Sequence, residues 1–392
     1  TNLNGQGHKI TFNLPNTTNG TSLDIHLSDV SWINTSISKG KVLKTRLTLS
    51  WINNCNVTNC NFNDIWHSYL QASSILTNCN FTNTAEIGVS SNATLRDCKI
   101  NNEADADKWC DIVSGWDNTG YSHALIVNSG LVERCTIDYN CHQFGYSFIK
   151  NFGIVRDCHL NTNNFIPFSY YNSGTISNCS ATCNRTKSTT PRLEIYCAAI
   201  NKNSGIVEDF VSDIPYFYTY GIGVYETGKE YGTGASLCSD NTGKLLRCIN
   251  RTDIHKAHAW GYDGEPGNPM YLIYSSFAIC ENNEGQIIDC ENFGFISANP
   301  NAHHELVYSD YSYHWWDGYG DRAYILIGGI KNTSTFAKVT GYINHQSYGK
   351  EPVCPDCGHR YGSCVFQSGD VIDSKIKGNI GSMAYGYAGY QY

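Results

Sequence analysis

The chain predicts an all-β fold, a right-handed, single-stranded parallel β-solenoid with long aromatic loop inserts. Three observations lead there. The first is a phrase written six times: NSGLVERC at 128–135, NFGIVRDC at 151–158, NSGTISNC at 172–179, NSGIVEDF at 203–210, NTGKLLRC at 241–248 and NEGQIIDC at 283–290. The second is its spacing. With degenerate copies ending at Cys79, Cys98, Val339 and Ser374, the last position recurs at intervals as short as 19, 21 and 23 residues, the length of one solenoid coil. The third is composition: about one residue in ten is Asn, Gly, Tyr, Ser and Thr are plentiful, and there are only 9 Pro and 2 Met. That mixture suits turns and short strands better than long helices.

Within the phrase, Gly is expected to supply a left-handed or tight corner, and the Asn before it tolerates or hydrogen-bonds the bend. After the corner, apolar residues alternate with polar ones, as at Val132 and Cys135 or Ile154 and Cys158, which reads as a short strand. Before it lies another apolar run, such as ALIV at 124–127, SFI at 147–149 or CVF at 364–366. One such coil cannot bury its apolar face. Coils stacked about 4.8 Å apart make a continuous core in which equivalent positions form columns.

One predicted column holds Cys79, Cys98, Cys135, Cys158, Cys179, Phe210, Cys248, Cys290, Val339 and Ser374. A second, five residues before each Gly, holds Leu125, Phe148, Ser169, Ile200, Cys238, Cys280 and Cys364. Ten of the 18 cysteines thus share columns with Phe, Leu, Ile or Val, which marks them as small buried hydrophobes and not as disulfide partners. The other eight, Cys55, Cys60, Cys110, Cys141, Cys183, Cys197, Cys354 and Cys357, are left as candidates for two or more disulfides of open connectivity.

Length alone would allow two or three domains. The repeat favours one solenoid domain over 1–380, with N-terminal strands or a cap over 1–50 and inserts near 101–123, 213–236, 252–272, 300–325 and 345–362. A Tyr- and Gly-rich tail follows over 381–392. The net charge of −8 and pI of 5.9 leave no basic footprint for nucleic acid or an anionic membrane surface. No run of about 18 to 20 apolar residues suggests membrane insertion, and the polar opening at Thr1 reads as the mature chain of a secreted or cell-surface protein. Ten Asn-x-Ser/Thr sequons are candidate glycosylation sites: Asn16, Asn19, Asn34, Asn56, Asn80, Asn92, Asn178, Asn184, Asn250 and Asn332.

The inserts carry the candidate ligand contacts. Trp109, Trp116, Trp260, Trp315, Trp316 and Asp317 place rings beside carboxylates, a combination that stacks on pyranose C–H faces and binds sugar hydroxyls. The competing reading is that these rings pack the loops onto the solenoid. Glu305, Asp310, Asp317, Asp321, Arg322, His303, His304 and His314 share one insert, but their spacing selects no acid–base pair, so no catalytic residue is assigned and a non-enzymatic role is favoured. CPDCGHRYGSC at 354–364 resembles half a zinc ribbon, with Cys354, Cys357 and His359 one ligand short of a closed site. No metal or cofactor is expected.

With its preceding apolar run, the phrase resembles the GLUG-type repeat, in which an apolar strand leads into Asn-x-Gly-Thr-Ile, a polar residue, Asn-Cys and a small or apolar strand. NSGTISNCSATCN at 172–184 is the nearest copy. The resemblance covers roughly residues 70–300 and 330–376, and the long inserts depart from it, as does the lack of Gly after the Cys strand. It implies a β-helical surface or secreted protein, adhesins among them. The expected role is an extracellular structural or adhesive module, with a polysaccharide-active enzyme or glycan-binding receptor spike as the alternative. Glycans are the expected ligands. The strand-like ends, HKITFNL at 8–14 and AYGYAGYQY at 384–392, suggest head-to-tail self-association into a filament.

Overall fold

The computed structural model describes residues 2–11, 22–38, 46–102, 123–139, 146–162, 167–183, 198–213, 217–221, 229–235, 237–252, 254–259, 271–294, 322–332, 334, 336–344, 364–366 and 370–371. Among them there is no helix. The coils give their strands to three parallel sheets, so the molecule is a parallel β-solenoid. The regions expected as loop inserts near 213–236 and 252–272 also contain strands: Phe217–Gly221 pairs with Ile254–Ala259 in a two-stranded parallel sheet, and Lys229–Ala235 pairs with Tyr271–Asn283. The chain divides into two compact units, Thr1–Asn184 with Ser204–Phe210, and Arg185–Asn203 with Val211–Tyr392.

In the first unit, the first sheet runs in order through Asn2–Asn4, Ser31–Ile33, Asn56–Thr58, Ile75–Thr77, Thr94–Arg96, Leu131–Glu133, Ile154–Arg156, Thr175–Ser177 and Ile206–Glu208. The second sheet runs through Lys9–Thr11, Ser36–Ser38, Asn61–Asn63, Asn80–Thr82, Lys99–Asn102, Thr136–Tyr139, His159–Thr162 and Ser180–Cys183. The third holds Ser22–Ser28, Arg46–Asn53, His67–Leu70, Glu86–Val89, His123–Asn128, Tyr146–Asn151 and Ser169–Asn172.

The second unit repeats the plan. Its first sheet holds Lys244–Leu246, Gln286–Ile288, Lys338–Thr340 and Asp370–Val371, and its second Val211–Asp213, Ile249–Asn250, Glu291–Asn292 and Ile343–Asn344. Its third sheet holds Ile200–Asn203, Cys238–Asn241, Tyr271–Asn283, Arg322–Asn332 and Cys364–Phe366.

Strands of three residues work because only the middle one points inward. In the first unit the columns Val57, Leu76, Leu95, Val132, Val155 and Ile176 on one sheet and Phe62, Phe81, Ile100, Ile137 and Leu160 on the next are fully buried. Each such side chain stabilises the fold by about 1.5–3 kcal/mol. Between first and second sheets the chain turns on one left-handed residue, at Asn59, Asn78, Asp97, Arg134, Asp157 and Asn178, with φ between 49° and 56°. Asn and Asp tolerate that conformation best. Their side chains stack outside: Asn78 Nδ2 donates to Asn59 Oδ1 at 2.6 Å, and Arg134 Nε to Asp97 Oδ1 at 2.6 Å.

The phrase cysteine follows each left-handed residue and points inward. Cys79, Cys98, Cys135, Cys158 and Cys179 are buried free thiols in one column, as the repeat predicts. Each donates to the carbonyl two residues back, for example Cys98 to Arg96 O at 3.1 Å and Cys179 to Ser177 O at 3.1 Å. Burial pushes the thiols of Cys98 and Cys179 up, as it does those of Cys238 and Cys290 in the second unit.

Four expectations are corrected. The phrase glycines are not left-handed, since Gly7 and Gly341 are the positive-φ glycines among the described residues. They are needed for close approach: a Cβ on Gly174 would lie 2.0 Å from the Gly153 carbonyl oxygen, and one on Gly205 2.1 Å from that of Gly174. Cys55 and Cys60 are buried free thiols and not disulfide candidates; Cys60 lies in the Cys79 column, and Cys55 occupies the place of the phrase glycine, one coil before Ser74. Val339 pairs with Ile287 in the first sheet, and the buried Tyr342 takes the position beside Cys290. Ser169 pairs with Ile149, not with Phe148, because a bulge shifts the register there. Ser374, Cys110, Cys141, Cys197, Cys354 and Cys357 lie outside the described residues, and so do the side chains of Cys183 and Cys364.

The phrase asparagines build an internal ladder. Asn128 Nδ2 donates to Asn151 Oδ1 at 2.8 Å and Asn151 Nδ2 to Asn172 Oδ1 at 2.7 Å, while Gly130 N–H donates to Asn128 Oδ1 at 3.0 Å. The second unit does the same with Asn203, Asn241 and Asn283 at 2.8 and 2.7 Å. Fully buried amides are tolerated because their polar atoms are bonded.

Candidate functional site

The length differences between coils fall at one place in the rung. In the first unit the chain passes from second to third sheet between Thr11 and Ser22, Ser38 and Arg46, Asn102 and His123, Tyr139 and Tyr146, and Thr162 and Ser169. In the second unit the passages from Asn250 to Tyr271, Asn292 to Arg322 and Asn344 to Cys364 are of the same kind. The other two turns of each rung stay short, as between Asn128 and Leu131 or Arg156 and His159. Insertions that share one corner bring their sequences to one side of a scaffold.

The third-sheet strands beside that corner carry the richest chemistry among the described residues. In the first unit, strand register lines up Asp24, Thr48, His67 and Glu86 as one row and His26, Ser50, Tyr69 and Gly88 as the next. Their alternates Leu23, Ile25 and Leu27 pair in register with Leu47, Leu49 and Trp51, which are fully buried core residues, so both rows face outward. Thr48 and Ser50 are only 8% and 6% exposed although they face outward, with the larger Asp24 and His26 in register on one side and His67 and Tyr69 on the other. The result is a recessed polar slot one strand wide.

Its aromatic wall is ordered. The Tyr69 hydroxyl lies 3.0 Å from His67 Nδ1 and is close enough to Glu86 to favour its ionised form. The Trp66, His67 and Tyr69 rings follow one another at 5.3 and 5.4 Å. Gly88 makes room: a Cβ there would fall 2.6 Å from Tyr69 Cδ1. Burial, then the Glu86 charge, pushes the Tyr69 hydroxyl up to about 12. Burial likewise raises the Glu86 carboxyl, with the Tyr69 hydroxyl only partly opposing it. His67 is the neighbour of Glu86 in register.

Two other polar groups on this unit are structural. Glu133 is 1% exposed and is clamped by Arg96 and by Arg156 Nε at 2.7 Å. Burial opposes its ionisation, but the hydrogen bonds and charges of Arg156 and Arg96 outweigh it and hold the carboxyl low. On the second sheet, His159 lies between two hydroxyls of the next coil, with Nδ1 2.6 Å from Ser180 Oγ and Nε2 3.4 Å from Thr182 Oγ1, a side-chain ladder between coils.

Trp109, Trp116, Trp260, Trp315, Trp316 and Asp317 lie outside the described residues, as do Glu305, Asp310, Asp321, His303, His304, His314, His359, the side chain of Arg322 and the 381–392 tail. Of the sequons, Asn34, Asn56, Asn80, Asn92 and Asn178 are exposed; Asn16, Asn19, Asn184 and the side chain of Asn332 lie outside the described residues. Asn250 is corrected: it is fully buried, and its Nδ2 donates to Asn292 Oδ1 at 2.7 Å and Thr252 O at 3.2 Å, which leaves no room for a glycan. The slot itself escaped sequence reading. Its signal was the polar alternation of SLDIHLS, RLTLSWIN, HSYL and EIGV, four short strands spread over 68 residues from 22 to 89. Comparison with protein-family models, curated proteins and solved structures finds no match, so the fold stands on the chain's own strand register.

Proposed function

We propose that this chain is an extracellular β-solenoid acting as an adhesive module, whose coils form a stiff scaffold and whose second-to-third-sheet corner forms the contact surface for glycans. The observation that carries this reading is that, within each unit taken by itself, the longest passages leave the rung between a second-sheet and a third-sheet strand. The slot beside it supports the glycan partner, because rings, carboxylates and hydroxyls together are the groups that recognise sugars. The likeness of the phrase to GLUG-type repeats supports a surface or secreted setting, and exposed sequons at Asn34, Asn56, Asn80, Asn92 and Asn178 agree with it.

Assembly into a fibre is the structural form of the same reading. In the first described coil Ile10, Leu23, Ile25 and Leu27 are half-covered, whereas their register partners Ile37, Leu47, Leu49 and Trp51 are fully buried.

A glycan array tests the proposal. The intact protein is expected to be retained on a subset of glycans, and the double variant Trp315→Ala, Tyr69→Ala to lose that retention with an unchanged thermal transition. Retention on no glycan at all contradicts the reading.

A further inference from the structure

We infer that the third-sheet slot of the first unit binds a protonated amino sugar, with Glu86 and Asp24 as the paired anions and Tyr69 and His67 as the ring wall. This rests on the glycan reading above and names the class of sugar. The charge of the slot points to it. Two carboxylates stand at the ends of one row, separated by Thr48 and His67, hence about 14 Å apart along the backbone at about 4.8 Å per strand.

A half-buried carboxylate beside a tyrosine hydroxyl, with a histidine as its neighbour in register, gains most from a ligand that brings its own positive charge. An ammonium beside the Tyr69 ring also gains a cation–π contact. The remaining lining selects sugar over a simple alkylamine. The hydroxyls of Thr48 and Ser50 form the recessed floor, suited to ring hydroxyls, and the neighbouring His67 and Tyr69 rings offer faces for C–H contact. Because the rows run across successive strands, a linear oligosaccharide lying along the stack meets both carboxylates with different residues of one chain.

The test uses the full chain and two probes of equal length: a glucosamine hexamer and its fully N-acetylated counterpart, which keeps every ring but has no charge. Titration calorimetry at neutral pH is expected to show at least 10-fold tighter binding of the glucosamine hexamer. Glu86→Gln, which keeps an acceptor for Tyr69, is expected to remove that preference while circular dichroism and the thermal transition stay as in the parent. Gly88→Ala, which displaces the Tyr69 ring without touching charge, is expected to weaken both probes. Equal binding of the two hexamers, preference unchanged in Glu86→Gln, or tighter binding of a lysine hexamer than of the glucosamine hexamer would overturn the inference. If neither hexamer binds while neutral glycans on the array are retained, the amino-sugar assignment fails and the adhesive reading stands.

Discussion

A cysteine at the corner position fills a small apolar site and also offers a weak S–H donor to a carbonyl. Cys158 shows both: it is buried, and its Sγ lies 3.3 Å from Arg156 O. Cys158→Val is therefore expected to fold, with a loss of about 1 kcal/mol for the donor and the altered shape. Cys158→Asp places a carboxylate among Cys135 and Cys179 and is expected not to fold. Urea unfolding distinguishes them, and equal damage from both would contradict the column. The column was legible because Phe210 replaces Cys within the repeat. The left-handed residue was not, because Gly serves positive φ and close backbone approach equally well. Sequence cannot separate the two until the neighbouring coil is in place. Cys55 and Cys60 were missed because their coil carries no Asn-x-Gly phrase, so nothing marked its register.

At the scale of the strand, the outer face of the first sheet is held by charge where its neighbours use Thr and Ser. Arg96, Glu133 and Arg156 occupy successive equivalent positions, with Glu133 in the middle. The arginine side chains are 38% and 49% exposed, so water replaces part of what Glu133 provides. Glu133→Gln is expected to cost about 1–2 kcal/mol at neutral pH. The folded carboxyl lies below its ordinary value of 4.5, so its stabilisation is present above that range and is lost as pH falls through the depressed value. The stability gap between parent and variant should therefore close on acidification. A gap that stays constant from pH 7 to pH 3 contradicts the clamp. Three-residue strands were legible from alternation, but the partners of each strand were not, since charges 37 and 23 residues apart in sequence meet only once the coils are in register.

For the molecule as a whole, each of the two units is built from the same rung: a left-handed polar residue, an inward thiol or aromatic, and in the later coils an asparagine ladder closed by a glycine. The periodicity of the later coils and the approximate bounds of their insertions were legible from phrase spacing, whereas the first three coils, which carry no Asn-x-Gly phrase, were not. Nor was the slot, because its members come from four coils and acquire meaning only through register. Register is thus the central claim, and a distance across coils measures it most directly. Asn61 and Lys99 are 38 residues apart in sequence but occupy the same second-sheet position two coils apart, through Asn80. Nitroxide labels introduced at both positions as unnatural side chains, leaving the native thiols untouched, should show the strong dipolar broadening of a backbone separation of about 10 Å. Spectra identical to the sum of the two singly labelled proteins would contradict the stacked register and the slot built on it.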